Sequence, residues 1–234
     1  MFMTTIYTAV GRFQKRQGAG GLSCPIITVG QREYGVDLQE MILWTILNWR
    51  ILKAEQLEGL YQEKCLEVNY QANRPFDGCL RRLLQRGLVV SGSGQTDEDA
   101  LYHLLSCLYI VPISQSIPLR AATFLKLMLS GKATFAQARR LFKKNTLSDC
   151  ERRVMELSKQ ALLSTAEVIK CVEKDAYDLS SSTKIMDILY GDNETTSDNI
   201  ASIARCFESR QPVILAVANL YLRQQIIFER GDLA

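Results

Sequence analysis

Three helical patterns of unequal length follow one another through residues 37–90 and run straight into a short β signal at a glycine, an order that narrows the folds open to the chain. The first pattern places Leu38, Met41, Ile42, Thr45, Ile46 and Trp49 at i, i+3, i+4, i+7, i+8 and i+11, one apolar stripe along a helix. Leu43, Trp44 and Leu47 widen the stripe, which predicts burial on more than one side. A second pattern recurs at Ala54, Leu57, Leu60 and Tyr61. The third opens with Pro75, whose missing N–H has no intrahelical acceptor in a first turn, and buries Phe76, Cys79, Leu80, Leu83 and Leu84. Gly87 stops it, because a left-handed cap there costs no Cβ clash. Residues 88–90 then read as a strand that turns at Gly92, Ser93 and Gly94.

The run Leu80, Arg81, Arg82, Leu83, Leu84, Gln85, Arg86, Gly87, Leu88, Val89 resembles the end of the third helix and the start of the second strand in winged-helix transcriptional regulators, where an L-x-x-L-x-x-x-G-L/I-[VI] pattern is common. The resemblance covers residues 37–95. It implies a module that reads duplex DNA through its third helix, with Arg74, Asp77 and Arg81 on the exposed face and Arg82 and Arg86 nearer the phosphates. The chain departs from the family at the wing. Gln95 and the acids Asp97, Glu98 and Asp99 stand where Arg or Lys is usual, and acids repel phosphate. Thr96 followed by Asp99 resembles a capping box, and Ala100, Leu101, Leu104, Leu105 and Leu108 continue at helical spacing, so a helix is expected in place of the returning strand.

Residues 1–36 read as a β-like basic arm, with β signals near Ile6 and Ile26, cations at Arg12, Lys15 and Arg16, and a linker at Gly18 to Gly21. Two readings stand open for it: a hairpin packed on the module, or an arm that touches a partner. The module proper spans 37–111. Pro112 and Pro118 mark a break, and 118–234 reads as helices only, a dimerisation or sensing domain. Those helices are expected at 119–129, 134–144, 148–163, 165–174, 183–189, 198–208 and 212–228. Lys132, Arg139, Arg140, Lys143 and Lys144 make one of them basic, either a phosphate-binding face or simply a solvated one. The stretch 212–228, from Pro212 to Phe228, is apolar nearly all round and predicts a homodimer interface. A short echo relates Ile51, Leu52, Lys53, Ala54, Glu55, Gln56, Leu57 to Leu163, Ser164, Thr165, Ala166, Glu167, Val168, Ile169. It marks either a second helix-turn-helix or the ordinary likeness of two helix starts.

With 47% hydrophobic and 23% charged residues the chain has ample core, and a net charge of +3 confines any nucleic-acid footprint to a local patch. No run approaches a membrane span, and the first residues lack a secretory pattern. The cysteines at 24, 65, 79, 107, 150, 171 and 206 form no C-x-x-C pair, which predicts free thiols in the cytoplasm and no metal site. No nucleotide, hydrolase or metalloprotease motif occurs, and His103 is the one histidine, read as a partly buried structural residue. Neither a catalytic role nor a cofactor is expected. The expectation is a mainly α protein with a small β component, a winged-helix-like N-terminal module and a C-terminal helical domain, acting as a homodimeric DNA-binding transcriptional regulator. The alternative is a protein-interaction or assembly adaptor that does not bind DNA.

Overall fold

A computed structural model describes residues 3–17, 23–113, 146–191 and 199–231. Four strands open the chain: β1 (Thr4–Ala9), β2 (Arg12–Gln17), β3 (Ser23–Val29) and β4 (Arg32–Gly35). Next come α1 (Leu38–Leu47), β5 (Leu52–Lys53), α2 (Ala54–Glu67), α3 (Phe76–Gln85), β6 (Val89–Gly94), α4 (Asp97–Leu105) and β7 (Leu108–Pro112). The described residues that follow form α5 (Asp149–Gln160), β8 (Leu163–Ser164), α6 (Thr165–Glu173), α7 (Ser182–Tyr190), α8 (Asn199–Leu222) and β9 (Ile226–Arg230). The described residues form three sheets, in the orders β5-β1-β6, β2-β3-β4 and β8-β7-β9.

This α/β mixture corrects the expected architecture. The N-terminal region is a set of paired strands, and the C-terminal half carries its own three-stranded sheet where only helices were expected. The turn expected at Gly92 to Gly94 is corrected as well. β6 runs through Gly92 and Gly94 without turning, pairing with β1 from Thr4↔Gly94 to Ala9↔Val89. Glycine is needed there for proximity: a Cβ on Gly92 would lie 2.3 Å from the Ala100 carbonyl oxygen, and one on Gly94 would lie 2.4 Å from the Ala100 nitrogen. These two residues let α4 lie directly on the strand. Helix α4 itself starts where Thr96 predicts, its hydroxyl accepting the Asp99 N–H at 3.1 Å.

The chain contains one architectural unit twice. In each copy a strand enters first and becomes the centre of a sheet. Both copies then share a capped helix, a two-residue strand, a second helix, a final helix and an outer strand; among the described residues β2–β4 precede the capped helix only in the first copy, and α7 precedes the final helix only in the second. Asp37 and Ser148 are the N-caps of α1 and α5, and both helices close full capping boxes with Glu40 and Glu151. Leu52 and Leu163 occupy the short strands, opposite Tyr7 and Ile110. Leu83 and Leu220 are fully buried at the same place in the final helix. Gly87 and Gln224, both with positive φ, turn the chain into β6 and β9. The Val10 N–H donates to the Leu88 carbonyl at 3.0 Å, and the Ile113 N–H to the Gln225 carbonyl at 2.8 Å. The echo between 51–57 and 163–169 lies within this repeat, one residue out of register: the N-caps Lys53 and Ser164 are the true equivalents. At α2 only half of the capping box forms. Lysine offers no acceptor, so the Gln56 carbonyl oxygen takes the Lys53 N–H at 3.1 Å and nothing is returned.

Two apolar cores meet at β1. Ile6 and Val10 belong to the core built largely by the second copy, whereas Ala9 packs into that of the first, as the period of a strand requires. Between them Thr8 and Tyr221 are buried together. The Thr8 hydroxyl lies 2.8 Å from the Arg50 carbonyl oxygen and 3.0 Å from the Tyr221 Oη. The Tyr221 hydroxyl accepts the Trp49 N–H at 2.9 Å and donates toward the Ala9 carbonyl at 3.2 Å. Burial pushes this phenol up to about 12. Its ring stacks on Phe228, centroids 4.3 Å apart.

That arrangement corrects the reading of 212–228. Pro212 sits inside a single helix, α8, and Phe228 lies in β9. Val213, Val217, Leu220 and Tyr221 are at most 1% exposed within one chain. Most of the apolar surface that suggested a homodimer is buried in the chain's own core, while Leu215 and Leu222 remain about half exposed. Among the described residues no helix is long and apolar enough to cross a membrane. The helices expected at 119–129 and 134–144, with the basic face from Lys132 to Lys144, the Gly18 to Gly21 linker and the Cys206 thiol lie outside the described residues or side chains. The other six cysteines are unpaired, and His103 is exposed rather than partly buried.

Candidate functional site

The third helix presents most of the residues expected to meet DNA, and the fold divides them into two groups. Helix α3 begins at Phe76 after its N-cap Pro75, buries Cys79, Leu80 and Leu83, and ends at the Arg86 C-cap. Burial pushes the Cys79 thiol up to about 11. Asp77 and Arg81 face outward and are exposed. Arg74, Arg82 and Arg86 instead converge on the first turn of α1.

The centre of that convergence is Glu40, whose side chain is 1% exposed. As the N3 residue of α1 its carboxylate accepts the Asp37 N–H at 3.1 Å. The Arg86 guanidinium donates to Oε2 at 2.9 Å, and the Arg82 Nε stands 2.7 Å from Oε1. Arg86 also donates to the Gly35 carbonyl oxygen at 2.6 Å and lies over the Tyr34 ring at 5.6 Å, which ties β4 to the same point. Arg74 pairs with the Asp37 carboxylate. Partial burial works against ionisation of Asp37, yet the Glu40 N–H and the Arg74 guanidinium outweigh it and hold the carboxyl below the usual range.

The second copy repeats the clamp. Glu151, buried at the same N3 position, accepts the Ser148 N–H at 2.9 Å and the Arg223 guanidinium at 3.2 Å. Arg223 directly follows its helix, as Arg86 follows α3. A carboxylate in a first helical turn, bonded to the arginine that ends the last helix, is thus part of the framework of both copies. The acids after β6 have structural partners too. Asp97 pairs with Lys53 at 2.9 Å, and Asp99 lies 3.7 Å from Arg210.

A groove of about 560 Å3 opens on the other side of α1, between that helix and the end of α2. Ile42 and Ile46, each 7% exposed, form its floor. Leu38, Met41, Val68 and Tyr70 make apolar walls, and Arg50 and Lys64 stand in the lining as its cations. The stripe read from periodicity is therefore split. Leu43, Trp44 and Leu47 fill the core, while Leu38 is 48% exposed and Thr45 is also exposed at the groove. Trp49 lies beyond the helix, with φ of 56°. A ten-residue helix apolar on nearly every face was the signal for this site, and it was read as burial alone.

The equivalent groove of the second copy, between α5 and the end of α6, has a different chemistry. It is lined by Asp149, Arg152, Arg153, Glu156 and Tyr177 among others. Arg153 lies over the Tyr177 ring at 4.4 Å and pairs with Asp175 at 2.9 Å. No family model matches the chain, and no curated protein and no solved structure matches it.

Proposed function

We propose that this chain is a protein-interaction or assembly adaptor, two α/β copies whose two apolar cores meet at β1, which does not work by reading DNA. The observation that carries the reading is the commitment of Arg74, Arg82 and Arg86 to Asp37 and Glu40. Arg82 and Arg86 are neutralised by the buried Glu40 carboxylate, and Arg74 by the partly exposed Asp37, so each contributes less to counterion release from DNA than an unpaired guanidinium. Withdrawal of Arg82 and Arg86 would leave Glu40 charged and dry. Arg81 is the exposed cation of α3 that remains, beside the acid Asp77. The framework role of the Glu151–Arg223 pair supports the same view, because the second copy keeps the clamp without the exposed arginines of α3. We place this adaptor in the cytoplasm, where a reducing milieu suits six described thiols left unpaired. A homodimer through 212–228 is not needed by the reading.

The test is selection from a random duplex DNA pool with the full chain, alongside Arg81→Ala. No enriched sequence is the expected result. Enrichment of a sequence whose affinity drops in Arg81→Ala would overturn the proposal in favour of a DNA-binding regulator.

A further inference from the structure

We infer that the groove between α1 and α2 is the docking site for an acidic amphipathic helix of a partner protein; this rests on the adaptor reading above. The second copy provides the internal comparison. At the places of Leu38, Met41, Ile42 and Thr45 it carries Asp149, Arg152, Arg153 and Glu156, and the same scaffold accommodates them. The fold does not require an apolar wall here. The first copy nevertheless keeps Leu38 and Val68 each 48% exposed around an isoleucine floor, a concentration of exposed apolar surface that marks interaction sites.

Shape and charge select the occupant. Leu38 to Ile46 spans roughly 12 Å of helix at 1.5 Å per residue, so the groove receives a little over two turns of a helix laid along it. Helices dock in such grooves through apolar side chains at i, i+3, i+4 and i+7. An open trough between two helices leaves one side of its occupant in water, which suits an amphipathic helix better than a small molecule that must be largely enclosed. Among the described residues Arg50 and Lys64 line the groove and no carboxylate does. Lys64 pairs, among the described residues, with the exposed Glu67 at 2.6 Å, a surface pair worth little and readily exchanged. The carboxylates of an incoming helix therefore find two cations at the edges of an apolar floor.

The experiment selects binders to the full chain from a library of helical peptides with apolar residues at i, i+3, i+4 and i+7 and random flanks. Enriched peptides should carry Asp or Glu in the flanks. Leu38→Glu with Val68→Glu should weaken the best of them at least about tenfold, since charge is placed in the contact. Both positions are half exposed, so the fold is retained, as thermal melting will verify. Arg50→Glu with Lys64→Glu should reverse the flank preference to Lys and Arg. Peptides that bind both double variants as tightly as wild type would overturn the groove while leaving the adaptor reading intact. Enrichment of no peptide would overturn the inference, and enrichment of a DNA sequence in its place would remove the adaptor reading as well. A fluorescent long-chain fatty acid that binds wild type and not Leu38→Glu with Val68→Glu, in the absence of any selected peptide, would assign the groove to a small amphiphile and overturn the helix.

Discussion

Replacing Glu40 with glutamine removes the charge at the centre of the first clamp while keeping the side chain's volume. The wild-type carboxylate is 1% exposed and faces two guanidinium groups, Arg86 with 22% of its side chain exposed and Arg82 with 54%. Glutamine can still accept the Asp37 N–H, but its amide group turns donors toward at least one arginine. Arg86, largely desolvated, then keeps only the Gly35 carbonyl oxygen and the Tyr34 ring as partners. Removing one member of a buried ion pair costs 3–5 kcal/mol, and the half-exposed Arg82 brings this case to the lower end, about 3 kcal/mol. With a urea m-value of about 2–3 kcal/mol/M the unfolding midpoint should fall by roughly 1 M at unchanged m. The second copy provides the calibration. Glu151 faces one guanidinium, Arg223, at 3.2 Å and 45% exposed, so Glu151→Gln should cost only about 1 kcal/mol. Urea unfolding of the two variants and the wild type, followed by circular dichroism, measures both. A midpoint for Glu40→Gln within error of wild type, or a larger loss for Glu151→Gln, would refute the reasoning.

Gly92→Ala drives a Cβ into the backbone of α4 at 2.3–2.7 Å and should cost about 3 kcal/mol, the upper end for overpacking; Gly59→Ala, with open space around the new methyl group in α2, should stabilise by about 0.5–1 kcal/mol. Thermal melts of the pair check the contrast, and equal behaviour would mean that α4 does not lie on β6. Tyr221→Phe leaves the Trp49 N–H without its acceptor and should cost about 1–2 kcal/mol at neutral pH. Because burial raises the Tyr221 phenol from 10.0 to about 12, the wild type holds this contribution in full below pH 10 and loses it as pH climbs toward 12. Urea midpoints of the two proteins should therefore converge across that window, and parallel curves would count against a buried phenol. Sedimentation equilibrium should return the chain mass of 26.4 kDa; a stable species of twice that mass would revive an interface and require one other than the buried face of α8.

Local structure was legible in the chain wherever it depends on neighbours in sequence. The starts of α4 and α5 follow from Thr96 and Ser148 with an acid three places on, because a cap is a contact between residues already adjacent. The end of α3 followed from Gly87 for the same reason. What a residue does once its element is placed depended on partners far along the chain. Gly92 and Gly94 carry a turn signature, yet α4 settles onto them and β1, from the other end of the copy, pairs with them into a strand. Arg74, Arg82 and Arg86 occupy the positions of a DNA-facing surface, and only the approach of α1, with Asp37 and a buried glutamate at its start, gives them carboxylate partners. The apolar helix near the C-terminus had to be buried somewhere. Whether in its own chain or in a second one was decided by the space between two copies of one unit, which β1, α4 and α8 fill together.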